Sequence, residues 1–274
     1  MGRVLVTGGF DDLGARHVRL LHESSRLGEV TVLLWSDAAV RAATGAPPKF
    51  SLAERRYLVG SLRFVREVVV IDHGAEPWWR RGEQPPAIHA ICFDQGGPVE
   101  EAMAARSAAT ACRADCRAFT CSELGGFPDA APPARDPSKR RIVVTGCFDW
   151  LHSGHVRFFE EVAGFGELYV VVGHDANIRL LKGEGHPRFS QDHRRYLVGS
   201  VRHVREALVS SGTGWMDAEP EIRSIGAQVY AVNEDGDKPE KREFCNAHGL
   251  DYLVLKRVPA PGLPRRTSTF LRGF

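Results

Sequence analysis

The sequence predicts an α/β protein built as two tandem Rossmann-like lobes, each a parallel sheet covered by helices. Three observations carry this: a pattern that occurs twice in 274 residues, short β-branched runs alternating with helical stretches, and a Pro/Gly-rich segment between the copies. "VLVTGGFDDLGARHV" (4–18) returns as "IVVTGCFDWLHSGHV" (142–156), with eight identities in the thirteen positions from Thr7 to Arg19 at an offset of 138. "KFSLAERRYLVGSLRFVRE" (49–67) returns as "RFSQDHRRYLVGSVRHVRE" (188–206), with thirteen identities in nineteen at an offset of 139. Two matches in the same order at nearly one offset mark a duplication.

Each copy opens on a strand, "RVLVTG" or "RIVVTG", that runs into a glycine turn. An amphipathic helix follows, then a second strand, "EVTVLLW" or "ELYVVVG". A further helix carries "RRYLVGS", and a third strand follows at "EVVVID" or "EALVSS". "AIHAICF" and "AQVYAVN" read as fourth strands. Such alternation gives a doubly wound parallel sheet. "GGFPDAAPPARDPSKR" (125–140) has no hydrophobic period and reads as the linker. The expected domains are therefore 1–124 and 141–274.

Composition narrows the function. Thirty-six Lys and Arg against 34 Asp and Glu leave a formal charge of +2, with no basic block to call for nucleic acid. No apolar run reaches the length of a membrane span, and no signal peptide is expected at the N-terminus. Six cysteines in a chain this long do not suggest a disulfide framework, so a reducing cytoplasm is expected. The cluster Cys112, Cys116 and Cys121 lacks CxxC spacing and a fourth ligand; it reads as half-buried residues on a helix and a strand, and no protein metal site is expected.

The chemistry concentrates in "TGCFDWLHSGHVRFFEEV" (145–162). A strand, a turn and a helix start gather backbone N–H groups and a positive dipole end at one point. His152 and His155, at i and i+3, are expected on one face of the first helical turn, and Gly154 between them leaves room for a phosphate. The result is an anion cradle with two imidazole donors. This segment resembles the HxGH nucleotidylyltransferase superfamily, the cytidylyltransferase-like enzymes, whose signature follows a GxFD turn. The resemblance implies attack by a substrate phosphate on the α-phosphate of a nucleoside triphosphate, with release of pyrophosphate. It implies catalytic roles for His152, His155 and Lys182, and nucleotide contacts from Thr145, Gly146, Cys147, Phe148, Asp149 and Gly154. In "VVVGHDANIRLLKGEGHPRFSQDHRRYL" (170–197), Asp175, Lys182 and Arg194 fall on family positions. "RRTSTFLR" (265–272) resembles the family's ISSTxIR segment: Thr267, Ser268, Thr269 and Arg272 match, and Arg266 replaces an apolar residue. Mg²⁺ is expected with the triphosphate.

The acidic loop "VNEDGDKPEKREFC" (232–245) follows a strand end, where open α/β sheets bind ligands. Asn233, Asp235 and Asp237 are candidates to read the acceptor, beside Asp149 and Asp175. The tandem plan resembles ethanolamine-phosphate cytidylyltransferase, and "DANIRLLKG" is similar to heptose-phosphate adenylyltransferase. Both families carry an acidic residue where this chain has Arg205 and Arg66. The expected donor is CTP, taken ahead of ATP, and the acceptor a phosphorylated alcohol or sugar. A sugar-phosphate adenylyltransferase and an inactive nucleotide sensor are the alternatives. A nicotinamide enzyme needs a GxGxxG or GxxGxxG turn, and the glycines of 8–14 do not have that spacing.

The first copy has lost the signature. Gly14 stands for His152, Arg16 for Gly154, Thr44 for Lys182 and Trp35 for Gly173; His17 alone matches, to His155. The first lobe is therefore expected to be structural or regulatory. The chain is expected to be a monomer with an internal pseudo-dimer, or a homodimer.

Overall fold

The computed structural model describes residues 2–72, 88–129 and 132–267. The chain divides into two compact units, Met1–Gly126 and Phe127–Phe274. The first contains β1 (Arg3–Gly8), α1 (Ala15–Ser25), β2 (Glu29–Trp35), α2 (Asp37–Thr44), α3 (Leu52–Gly60), β3 (Val65–Ile71), β4 (Ile88–Asp94), α4 (Val99–Cys112) and β5 (Asp115–Phe119). The second contains β6 (Arg141–Gly146), α5 (Ser153–Ala163), β7 (Glu167–Val172), α6 (Asp175–Lys182), α7 (Gln191–Gly199), β8 (Val204–Val209), α8 (Glu219–Ile225), β9 (Val229–Asn233), α9 (Pro239–His248) and β10 (Asp251–Leu255).

Both sheets are five-stranded and parallel throughout, in the orders β3-β2-β1-β4-β5 and β8-β7-β6-β9-β10. The two orders are the same when the strands of each unit are counted from its start. Even an irregularity is shared: the β2/β3 register shifts at Val30/Thr31 and the β7/β8 register at Leu168/Tyr169. The central strands are apolar on both faces because helices cover both; Val4, Leu5, Val6, Ile142 and Val143 are fully buried. The helix starts repeat too. Ser51 Oγ accepts the Glu54 amide at α3, and Ser190 Oγ accepts the His193 amide at α7.

Two features lie beyond the four strands per copy that the pattern predicts. β5 and β10 each add a fifth, on short segments with few β-branched residues. The cysteine cluster straddles one of them: Cys112 ends α4, Cys116 lies on β5 and Cys121 follows it. Cys116 and Cys121 are exposed, not half-buried as the sequence suggested. Residues 127–129 and 132–136 belong to the second unit. Phe127 packs on the rings of His193 and Tyr196, and Asp129 pairs with Arg195. Arg205 donates to the Pro133 carbonyl (2.6 Å) and to the Tyr169 hydroxyl (2.9 Å), which gives this arginine a fastening position.

At the top of each sheet lies a buried guanidinium. Arg194 is fully buried and donates to the carbonyls of Phe189 (2.9 Å), Cys147 (2.6 Å) and Gly173 (2.8 Å) and to Asp175 (2.7 Å). Arg55 does the same in the first unit with Phe50 (3.1 Å), Gly9 (2.5 Å), Trp35 (2.9 Å) and Asp37 (2.7 Å). A carboxylate clamps the same corner: Asp149 accepts the amides of Arg188 and Phe189, and Asp11 accepts those of Lys49 and Phe50. These contacts tie the first turn to the end of the second strand and to the loop before the RRYLVGS helix.

Removing a buried cation leaves three carbonyls and a carboxylate unpaired, at a cost of about 3 kcal/mol. Arg194→Ala and Arg55→Ala are therefore both expected to lower the denaturation midpoint of their own lobe by a comparable amount. A folded, undiminished Arg194→Ala protein with weakened nucleotide binding would instead return Arg194 to the ligand.

Candidate active site

The second unit's first turn leaves β6 at Gly146 and must pass Phe148 in a left-handed conformation (φ 50°). A non-glycine residue adopts that geometry at a cost, and surrounding contacts must hold it there. Here the Phe148 ring packs edge-on against His155 (5.1 Å between centroids) and against Phe159 (5.3 Å). The ring also fills the space above Gly146, where a Cβ would lie 2.9 Å from it. Glycine at 146 is thus a packing requirement of the turn.

His152 does not sit in the helix. It is the N-cap of α5, with extended backbone, and its Nδ1 accepts the Gly154 amide at 3.1 Å. His155 is the third residue of α5, and the two rings stack with centroids 3.8 Å apart. An Nδ1 that accepts carries no proton, so neutral His152 holds its proton on Nε2. That Nε2 is buried and has no hydrogen-bond partner among the described residues; the same is true of His155 Nδ1. Burial pushes both rings well below the ordinary histidine range, His155 to about 3, with its stacked neighbour adding to the effect on His152 and the Arg257 charge to that on His155. The pair is neutral at physiological pH, and one buried nitrogen of each ring is left unpartnered among the described residues.

Around His155 a cleft of about 220 Å³ is lined by Thr145, Gly146, Cys147, Phe148, Asp149, Gly154, Lys182, Asn233 and Asp235. Most of the sequence-predicted site residues thus converge on one cavity. Their freedom differs. Lys182, at the end of α6, is exposed and makes no ion pair among the described residues. Thr145 Oγ1 is 2.6 Å from the buried Tyr230 hydroxyl, and Asp235 pairs with Arg257. Gly154 is pressed between the His152 ring and the Arg266 carbonyl, at 3.1 and 3.4 Å from where its Cβ would be. Its lack of a side chain lets the Arg266 carbonyl approach the start of α5.

Three assignments change on this geometry. Arg194 does not face the cleft, because its donors are taken up by carbonyls and Asp175. Asp175 is accordingly a counter-ion of the brace and not a free acceptor of substrate hydroxyls. Asp149 lines the cleft, but its Oδ1 already takes two amides, so its first job is to hold the turn. Asp237 is likewise engaged, with Arg242 and the Tyr252 hydroxyl. Thr267 lies in an irregular stretch beside Arg266; Ser268, Thr269 and Arg272 lie outside the described residues.

Two cationic residues escaped the sequence reading. Arg257, just past β10, lines the cleft and donates to the Arg266 carbonyl (2.7 Å) while pairing with Asp235. Lys241, in the first turn of α9, also lines the cleft and makes no ion pair among the described residues; its ammonium lies 5.7 Å over the Tyr230 ring, and burial lowers its pKa. Both follow strands at the C-terminal edge of the sheet, which is the signal that marks such positions. Tyr252 and Lys256 stand four apart, as in a reductase pair, but Tyr252 is on β10 and its hydroxyl is committed to Asp237. Four residues of extended chain separate them by about 13 Å along the strand.

A model of the family described as cytidylyltransferase-like matches residues 143–262. The chain is similar to the FAD synthase of Aciduliprofundum boonei, with 32% identity over 117 residues, 42% of this chain and 76% of that protein. It is also similar to the bifunctional protein HldE of Alkalilimnicola ehrlichii, 46% identical over 154 residues, 48% of this chain and 30% of that protein. The chain thus spans less than a third of that HldE protein. Among solved structures, a lipopolysaccharide core biosynthesis protein from Thermoplasma volcanium matches with 23% identity and a TM-score of 0.38, over 45% of this chain and 99% of that one.

A histidine held neutral by the fold stabilises it above its unfolded pKa near 6.5, and that stability drains away as pH falls from there toward the folded value of about 3. In an NMR titration His155 is expected to stay uncharged through pH 5. His155→Gln is expected to flatten the acid loss of stability over the same interval. A ring titrating near 6.5 in the folded protein contradicts the buried, neutral pair.

Proposed function

The chain belongs to the cytidylyltransferase-like family, and from that premise we propose that its second lobe transfers a nucleoside monophosphate to a phosphorylated small molecule, releasing pyrophosphate. The donor is CTP or ATP. The acceptor is a phosphorylated alcohol or sugar. The observation that carries the reading is the stacked, neutral histidine pair, of which His155 lines a cleft that also has Lys182, Lys241 and Arg257 in its walls.

The step balances without a base. An oxygen of the acceptor's phosphate, already anionic, attacks the α-phosphorus. A new P–O–P bond forms, the bond from the α-phosphorus to the bridging oxygen breaks, and pyrophosphate leaves with the electron pair. What the reaction requires is alignment and stabilisation of charge on the α-phosphoryl and leaving oxygens. His152 Nε2–H is the donor assigned to that charge, and His155, stacked on it at the cleft wall, is assigned to hold it in place. Because the rings are neutral, His152 stabilises by hydrogen bonding and neither ring competes as an ion-pair partner in the ground state. Lys182, on an exposed helix end, is assigned to the phosphates of the incoming triphosphate. Lys241 and Arg257 add positive potential to the cleft.

Mg²⁺ enters as the counter-ion of the triphosphate. Among the described residues no three His, Cys, Asp or Glu side chains converge to hold a metal ion. We assign the cation's ligands mainly to phosphate oxygens and water. Its contribution is charge neutralisation.

For the donor, the FAD synthase relatives bear on ATP, since the product in their name contains an adenine nucleotide; a flavin phosphate accordingly belongs among the acceptors to be tried. None of the described helices is long and apolar enough to cross a membrane. We place the enzyme in the cytoplasm on its free cysteines.

The test is pyrophosphate release from the full chain with Mg²⁺, CTP or ATP and a panel of phosphorylated alcohols, sugars and flavin phosphate. One donor and acceptor pair is expected to give turnover. His152→Ala and His155→Ala are expected to lower kcat by on the order of 10²–10³ while KM for the nucleotide changes by less than about threefold. Tight nucleotide binding with no pyrophosphate from any pair would make the lobe a sensor.

A further inference from the structure

The two lobes can be overlaid residue by residue through their cores. Leu5, Leu33, Ile91, Phe93 and Ala105 pack together in the first as Val143, Val171, Tyr230, Val232 and Cys245 do in the second. Ala105 on α4 thus corresponds to Cys245 on α9, both fully buried. The same alignment sets Glu101 on Lys241, Asp94 on Asn233, Arg16 on Gly154 and Gly9 on Cys147. In the second lobe all of these second-lobe residues line the cleft.

In the first lobe the same positions are joined to one another. Glu101 Oε1 accepts the Gly9 amide at 3.0 Å, inside the glycine turn. The carboxylate lies so close to the turn that a Cβ on Gly8 would be 2.6 Å from it. Arg16 forms a two-pronged ion pair with Asp94 and donates to Cys121 Sγ at 3.2 Å. Trp35, in the place of Gly173, is buried and donates from Nε1 to Thr7 Oγ1 at 2.9 Å. It packs on Ala39, Val40 and Ala104.

We propose that the first lobe carries its own ligand: the Glu101 carboxylate occupies the anion seat of the glycine turn, the seat that the second lobe leaves open beside Lys241, and so closes this lobe to nucleotide. The charge reversal supports it. One helical position holds a cation where the cleft is open, and an anion where the turn is already served. The Gly8–Gly9 turn has kept the shape that receives an oxyanion, and side chains of the lobe now fill it. Arg16–Asp94 and Trp35 seal the rest of the space. The proposal does not depend on the second lobe's reaction.

Glu101 is largely desolvated, and burial, with Asp94 and Glu100 nearby, raises its pKa to about 7 against the pull of the Gly9 amide. The experiment is therefore run at pH 8, where the carboxylate is ionised. Glu101→Ala vacates the seat. Melting of the full chain is followed with 50 mM acetate or inorganic phosphate, against chloride at equal ionic strength. The variant is expected to melt lower than the wild type in chloride. Acetate or phosphate is expected to restore it by at least about 2 °C, while the wild type and Glu101→Gln, whose seats are filled, gain less than half of that. A folded Glu101→Ala protein with no anion-specific gain over the wild type overturns the proposal. Should that variant not fold, Glu101→Lys puts the second lobe's charge at this position. Inorganic pyrophosphate is then expected to slow amide exchange across residues 8–17; unchanged exchange there overturns the proposal equally.

Discussion

The second lobe depends on one buried guanidinium. Four chain segments meet above the sheet: the turn after β6, the end of β7, the start of α6 and the loop before α7. Each brings a carbonyl or a carboxylate to the fully buried Arg194. Arg194 supplies donors to all of them from a single planar group, a task that a lysine's point charge does not perform. The turn so fixed holds Phe148 in its left-handed conformation, Phe148 packs on His155, and His155 stacks on His152. Arg55 repeats the arrangement, contact for contact, in the lobe that has lost the first histidine of the pair. An interaction kept where the signature is gone belongs to the frame.

Against that common frame the differences between lobes are few and local. Glycines in the second lobe become Trp35 and Arg16 in the first, a lysine becomes Glu101, and a histidine becomes Gly14. Each change replaces space or a free donor with an internal contact. The second lobe keeps neutral imidazoles, two unpaired lysines and a cleft. The first converts the equivalent volume into ion pairs and packing. A duplicated fold can divide labour in this way because the brace, the sheet and the helix starts do not involve the cleft residues.

Much of the frame was legible in the sequence. The repeat gave the two lobes, and the apolar runs gave the first four strands of each, the inner ones most clearly, since strands buried on both faces read as continuous β-branched segments. β5 and β10 were not legible: "DCRAF" and "DYLVL" are edge strands of five residues, too short to show a period. In the site, the spacing of His152 and His155 was enough to find the pair but placed both in the helix, whereas His152 caps it. Arg194 and Asp175 were read as ligand contacts because motif matching cannot tell a residue that holds the site from one that faces it. The match of Arg55 to Arg194 across the repeat held that distinction in view. Lys241 and Arg257 belong to no repeated motif, and only the fold brings them to the cleft.

The central claim is that one frame occurs twice and is open to phosphate chemistry once. Hydrogen exchange on the full chain, with and without saturating Mg²⁺–CTP or Mg²⁺–ATP, tests it most directly, because it reads both glycine turns in one sample. The account predicts slowed exchange at 145–158 and 231–241 and no change at 7–18. Protection of 7–18 by nucleotide, alone or together with the second turn, would contradict it.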